Sequence, residues 1–146
     1  MNMFEDKMEE QLPPMARAIG MSMVEVRDRS CIVRVPYAAH LVGDPDTGVL
    51  HGGVITTALD NASGWAIREH EGWFDGLSMA TLDIRIDYMR PAEPYQDLLI
   101  QAKCFKLGQN VAFVRAFAHQ GNHDDPIATS IAAFMLGTPN VQGKNL

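Results

Sequence analysis

One carboxylate sits in an unexpected place in this chain. From Val54 to Ile67 the sequence VITTALDNASGWAI is apolar or small at nearly every position, and Asp60 is its only ionisable side chain. A carboxylate in such a segment must be paired, hydrogen-bonded or used in chemistry. On a helix its neighbours at i±3 and i±4 are Thr56, Thr57, Ser63 and Gly64, a narrow strip of small residues that another chain or a ligand can approach closely. The alternative is an amphipathic helix with Asp60 and Asn61 turned to water. Against it, the Arg and Glu of a solvated face appear only at Arg68 and Glu69, where the helix ends. Just upstream, Gly48-Val49-Leu50-His51-Gly52-Gly53 puts two glycines where a loop becomes a helix. First-turn amides lack intrahelical acceptors and carry the positive end of the helix dipole, so they suit an anion or a developing oxyanion. His51 either belongs to that site or is a loop residue or helix cap. Asp60 lies about two turns further on, roughly 10 Å by the helical rise, too far for one chain's carboxylate to meet its own donors.

The elements that hold these groups can be read from periodicity. Residues from about 3 to 19 suggest a short helical lead-in interrupted by Pro13 and Pro14. Val24 and Val26, then Cys31, Val33 and Val35 across the polar turn Asp28-Arg29-Ser30, alternate as a hairpin does. From Tyr37 to Leu50 the chain is loop-like, with turn signals from Gly43 to Gly48 just before the helix. The nearly all-apolar stretch that follows predicts a helix buried on every side. After it, Trp73 and Phe74 stand in a short loop, where they either cap the core or wall a pocket. Leu82, Ile84, Ile86 and Tyr88 alternate with Thr81, Asp83, Arg85 and Asp87, the pattern of a strand with one covered face. That alternation puts Thr81 on the polar face, away from the helix. Strands over 98–107 and 111–119 are joined by the turn Gly108-Gln109-Asn110, and a last strand over 127–136 is apolar on both faces. The order is hairpin, long helix, four strands: an α+β arrangement in which an antiparallel sheet wraps one long central helix.

Composition narrows the function. The 146 residues, 47% of them hydrophobic, fit a single domain spanning 1–146, with its core at about 20–138 and a polar tail after Gly137. The net charge of −6, with no Lys/Arg cluster, argues against nucleic acid and anionic membrane as partners. The acidic start MNMFEDKMEE and the lack of a long apolar run predict a cytoplasmic protein. Cys31 and Cys104 each fall inside a strand without CxxC spacing and read as buried free thiols. The run His119 to Asp125 reads as a polar hairpin turn rather than a metal site, since no matching ligand set occurs elsewhere. No GxSxG elbow, GxGxxG fingerprint or P-loop is present, so no cofactor and no metal is expected.

Two segments carry a resemblance to a known family. The run Gly48 to Gly53 with Asp60 nine residues after His51, together with Thr81-Leu82-Asp83-Ile84-Arg85-Ile86-Asp87-Tyr88-Met89-Arg90-Pro91-Ala92, resembles the hotdog-fold acyl-CoA thioesterases, in particular the phenylacetate-pathway (PaaI-like) branch. The resemblance implies hydrolysis of an acyl-CoA by a homodimer or homotetramer whose sites lie between subunits. It implies that His51, Gly52 and Gly53 surround the thioester oxygen, that Asp60 activates water or attacks directly, and that Thr81 supplies a hydroxyl nearby. Arg90, Lys106 and Gln109, with Lys103 as a further basic residue, are the candidates for the CoA phosphates, although relatives often have a basic residue where Gln109 stands. Relatives also carry an Asn six residues before the histidine, where this chain has Pro45 between Asp44 and Asp46. Two other readings of the scaffold remain open: a non-catalytic acyl-CoA binder or sensor, and a hydroxyacyl-thioester dehydratase, which would be expected to use a His that the helix does not offer at a facing position.

Overall fold

The computed structural model describes residues 12–137. Its first element is α1 (Pro14–Ala18), with proline in the first helical turn, where no amide is needed. The proline pair therefore starts this helix, whereas the sequence suggested that it interrupts one; the lead-in before residue 12 lies outside the described residues. The hairpin follows as β1 (Ser22–Arg27) and β2 (Ser30–Val35), turning at Arg29 with φ 61°. Then come a single 3-10 turn (Ala39–Leu41), the short strands β3 (Val42–Asp44) and β4 (Val49–Leu50), the long helix α2 (Gly52–Arg68), and β5 (Met79–Tyr88), β6 (Leu98–Leu107), β7 (Val111–His119) and β8 (Ala128–Leu136).

The six long strands form one antiparallel sheet in the order β1-β2-β6-β7-β8-β5. The helix lies against β2, β6 and β7. Small residues make the approach close: Ala58, Ala62 and Ala66, one turn apart, and Ala102, Ala112 and Ala116 on the sheet are all buried. Leu59, Ile67, Val33, Val114 and Ile100 fill the space between. Truncating a side chain such as that of Leu59 would cost about 2–5 kcal/mol. The Cys31 thiol donates to the carbonyl of Ala62 at 3.3 Å, and burial pushes it up to about 12, so it is an inert packing group. Both cysteines are buried and free.

Four neutral polar side chains of α2 bond back to the helix itself. Thr56, Thr57, Asn61 and Ser63 donate to the carbonyls of Gly52, Gly53, Thr57 and Leu59 respectively, each four residues back. The expectation of a helix buried on every side fails in the single chain. Gly53, Thr56, Thr57, Asp60, Asn61 and Gly64 form a strip that is half-buried or exposed, because no layer of this chain lies over it.

Candidate active site

The start of α2 is fixed by the segment that the sequence suggested was loop. There β3 and β4 pair as a small hairpin. Asp44 holds its turn, one carboxylate oxygen accepting from the Asp46 amide and the other from the Thr47 hydroxyl, each at 3.0 Å. Both oxygens of Asp44 are thus engaged in turn chemistry. The amide of His51 donates to Leu41 O at 2.8 Å. Gly43 lies so near that a Cβ there would come within 2.8 Å of the His51 Cα. A side chain at 43 is excluded by the backbone that carries the histidine.

His51 is the N-cap of α2, its Nδ1 accepting from the Gly53 amide at 2.8 Å. Among the readings left open for it, the cap is what the geometry presents. The consequence is chemical: with Nδ1 accepting, a neutral imidazole carries its proton on Nε2, which becomes an outward donor. The Gly53 amide is spent on the cap, whereas the Gly52 amide has no acceptor within the helix. Tyr88, at the end of β5, closes over this turn. Its hydroxyl donates to Gly52 O at 2.9 Å and lies 2.5 Å from the Thr56 hydroxyl. In the sequence Tyr88 belongs both to an alternating strand and to the Tyr88-Met89-Arg90-Pro91 run that helps carry the resemblance, without a role of its own at the helix start.

Two turns along α2, Asp60 is half-buried, and Thr81 Oγ1 donates to its Oδ1 at 2.8 Å. This contact corrects the reading of β5. Thr81 pairs with Phe134 but Asp83 pairs with Ala133, so one extra residue is inserted between them. Such a bulge inverts the alternation, bringing Met79 and Thr81 to the helix side with Ile84 and Ile86 and leaving Leu82 53% exposed. Asp60 and Thr81 stand at a cavity of about 390 Å³ walled by Trp65, Trp73, Leu77, Met79 and Phe134. The size is that of a small-molecule site. Of the two loop aromatics, Trp73 lines this cavity, while Phe74 is 62% exposed.

The remaining candidates are dispersed. The Arg90 guanidinium lies 3.2 Å from the Asp125 carboxylate and donates to the carbonyls of Pro91 and Asp125. Lys106 and Gln109 are exposed at the β6–β7 turn, beside the Met135–Leu136 end of β8, whereas Arg90 follows the opposite end of the sheet, where Tyr88 pairs with Ala128. The three are not brought together within one chain. Lys103, the remaining phosphate candidate, lines a larger depression of about 1010 Å³ on the other face of the sheet, with Arg27, Arg115 and Phe117 among others.

A helix start with donors and a carboxylate paired to a hydroxyl above an apolar cavity are the parts an acyl-transfer site needs. Residues 47–127, more than half of the chain, match the Thioesterase superfamily. The chain belongs to that superfamily. It is 30% identical to the medium/long-chain acyl-CoA thioesterase YigI of Escherichia coli strain K12 over 135 residues, covering 85% of this chain and 86% of YigI. A relative from Halobacterium salinarum is 32% identical over 94 residues, a match that covers 64% of this chain and 61% of that protein's length. The solved structure of a phenylacetic acid degradation-related protein from Ralstonia eutropha superposes with a TM-score of 0.75 at 24% identity, covering 92% of this chain and 99% of that one. This superfamily member has the hotdog fold, an antiparallel sheet around one long helix, and PaaI-like thioesterases are among its structural neighbours. Among the described residues no helix is long and apolar enough to cross a membrane.

Proposed function

We propose that the chain is an acyl-CoA thioesterase in which Asp60, oriented by Thr81, acts on the thioester while a helix start supplies the oxyanion donors. The observation that carries this reading is the Thr81–Asp60 hydrogen bond at the apolar cavity. The Thr81 hydroxyl occupies Oδ1 and so directs Oδ2 toward water or the substrate. In the general-base form, Oδ2 takes a proton as the water oxygen bonds to the carbonyl carbon. The carbonyl electrons move to oxygen and are held by the Gly52 amide and the His51 Nε2 proton. When the carbonyl re-forms, the C–S bond breaks, and the sulfur leaves with the proton held by Asp60, giving a carboxylic acid and free CoA. In the nucleophile form Oδ2 itself bonds to the carbonyl carbon, and the C–S bond breaks as the carbonyl re-forms. The departing thiolate takes a proton from a water molecule, whose hydroxide then hydrolyses the anhydride to the acid and restores the Asp60 carboxylate.

Within one chain the helix start and Asp60 are separated by about two turns, so the complete site joins the donors of one subunit to the carboxylate of another. Two features support such a homo-oligomer. The strip of α2 around Asp60 is left uncovered by its own chain, and β5 is an edge strand ten residues long with Leu82 and Tyr88 exposed. The reading is tested by assaying CoA release from a panel of aryl, short-chain and long-chain acyl-CoAs, with the oligomeric state measured by light scattering. Release from at least one substrate by an oligomer is expected; no release from any, or full activity as a monomer, overturns it.

A further inference from the structure

We propose that Arg68 makes the cavity selective for acyl groups that carry a second carboxylate at their far end, an inference that rests on the thioesterase reading above. Asp60, Gly64 and Arg68 follow one another at four-residue spacing and all line the cavity. The stripe from carboxylate to arginine spans about 12 Å by the helical rise, and helical side chains lean toward the N-terminus, which brings the guanidinium back over the cavity. Two indoles hold it there: its central carbon lies 4.8 Å from the ring centroid of Trp65 and 5.9 Å from that of Trp73. Both rings are also cavity walls. Contact with ring faces fixes the position of a guanidinium and leaves its N–H edges to donate.

The other arginines near carboxylates are spent on them: Arg27 on Glu25, Arg29 on Glu71, Arg85 on Asp87 and Arg90 on Asp125. Arg68 has no hydrogen bond or ion pair among the described residues, although the chain has 18 acidic side chains to 12 basic ones. Glu69 feels its charge without forming an ion pair with it. The cavity thus has a carboxylate and hydroxyl at one end, apolar walls between and, at the other, a planar cation with no carboxylate partner among the described residues. Methylenes fit the walls, and a terminal carboxylate matches the fork by two parallel hydrogen bonds. A methyl terminus would displace water from the cation and return nothing.

The test compares kcat/KM for substrate pairs of equal length, octanoyl- with suberyl-CoA and hexanoyl- with adipyl-CoA, in wild type, Arg68→Met and Arg68→Lys. The wild type is expected to prefer the dicarboxylyl member of at least one pair. The dicarboxylyl-to-alkyl ratio should fall about tenfold in Arg68→Met, the size of a charge-assisted bond discounted for partial exposure, and by less in Arg68→Lys, which keeps the charge and loses the fork. Melting temperatures verify that the variants fold. An unchanged ratio overturns the inference, as does a uniform loss on every substrate, which would assign Arg68 to the CoA moiety or to stability. If the wild type hydrolyses octanoyl- or hexanoyl-CoA while the ratios do not move, only this inference falls. Hydrolysis of no acyl-CoA removes the thioesterase reading and this one with it.

Discussion

The two ends of the candidate site are built differently, though both lie on α2. The donor end, His51 to Gly53, is over-determined. The imidazole caps the helix, the Tyr88 hydroxyl bridges Gly52 and Thr56, the β3–β4 hairpin carries the histidine, and Gly43 is pressed against its backbone. Among the described residues the carboxylate end has one hydrogen bond, from Thr81, and an open cavity. The contrast suggests a division of labour. A donor set must be held still so that it costs no reorganisation when charge develops, whereas the carboxylate must admit water and an acyl group. Damage at the donor end should therefore reach activity through geometry, and damage at the carboxylate end should reach it through chemistry.

The largest effect is expected from Asp60→Asn, which keeps the shape and removes the basic lone pair. A positioned base is worth about 10² to 10⁴ in rate, and kcat should fall by that much or more. The melting temperature and the affinity for a non-hydrolysable acyl-CoA analogue should stay near wild type. A variant with normal turnover and a lowered melting temperature would make Asp60 a structural group and erase the contrast between the two ends.

At the donor end, Gly53→Ala probes the cap. A Cβ there would lie 2.9 Å from His51 Nδ1 and 3.1 Å from its Cε1, so the ring must swing away. The lost cap costs about 1 kcal/mol, and replacing glycine by alanine in a helix returns a similar amount. Stability should hardly change, while the misdirected Nε2 donor lowers kcat by about 10², the order found for loss of an oxyanion donor. A drop in melting temperature with little loss of rate would make His51 a cap and nothing more.

How much of this was legible in the sequence follows the same division. The ranges of α2, β6 and β7 were readable because apolar periodicity and turn residues mark them locally, and His-Gly-Gly with the later aspartate marked both ends of the site. What could not be read depends on partners distant in the chain. The bulge at Thr81–Asp83 is a register shift against β8, invisible in the alternation of β5 alone, and it moves Thr81 from the polar face to Asp60. Arg90 looked free because Asp125, which engages it, is 35 residues away. The β3–β4 pair is too short for a periodic pattern, and Trp73 and Phe74 differ only in which way the loop turns them. Arg68 read as a helix-end charge because nothing local shows that two tryptophans hold it.

A smaller effect is expected from Thr81→Val, which keeps the volume and removes the hydroxyl that orients Asp60. A hydrogen bond to a charged group is worth about 1.5 kcal/mol or slightly more, so kcat should fall about tenfold. Because the pair is partly open to solvent, the melting temperature should move little. Thr81→Ser, which restores the donor, should recover most of the rate. If serine and valine behave alike, the hydroxyl does not act on the carboxylate.

The mildest lesion is Tyr88→Phe, and it separates a rigid end from a reactive one. The lost hydroxyl served Gly52 O and Thr56 together, and the site is half exposed, so the stability cost should be about 1 kcal/mol or less. Thr56 also donates to Gly52 O, at 3.2 Å, and should keep that carbonyl engaged when the tyrosine hydroxyl is gone. The helix start should hold its place, with kcat reduced by no more than about threefold, an energy near half a kcal/mol. Removing both donors in Tyr88→Phe/Thr56→Val withdraws the substitute, and the double variant should lose more than the sum of the single losses, by about 0.5 kcal/mol or more in a cycle. Strict additivity would mean that the hydroxyls act independently, and the redundancy argued for this end would be wrong. A Tyr88→Phe loss as large as that of Thr81→Val would go further, because it would place the tyrosine hydroxyl among the reacting groups instead of behind the backbone that presents them.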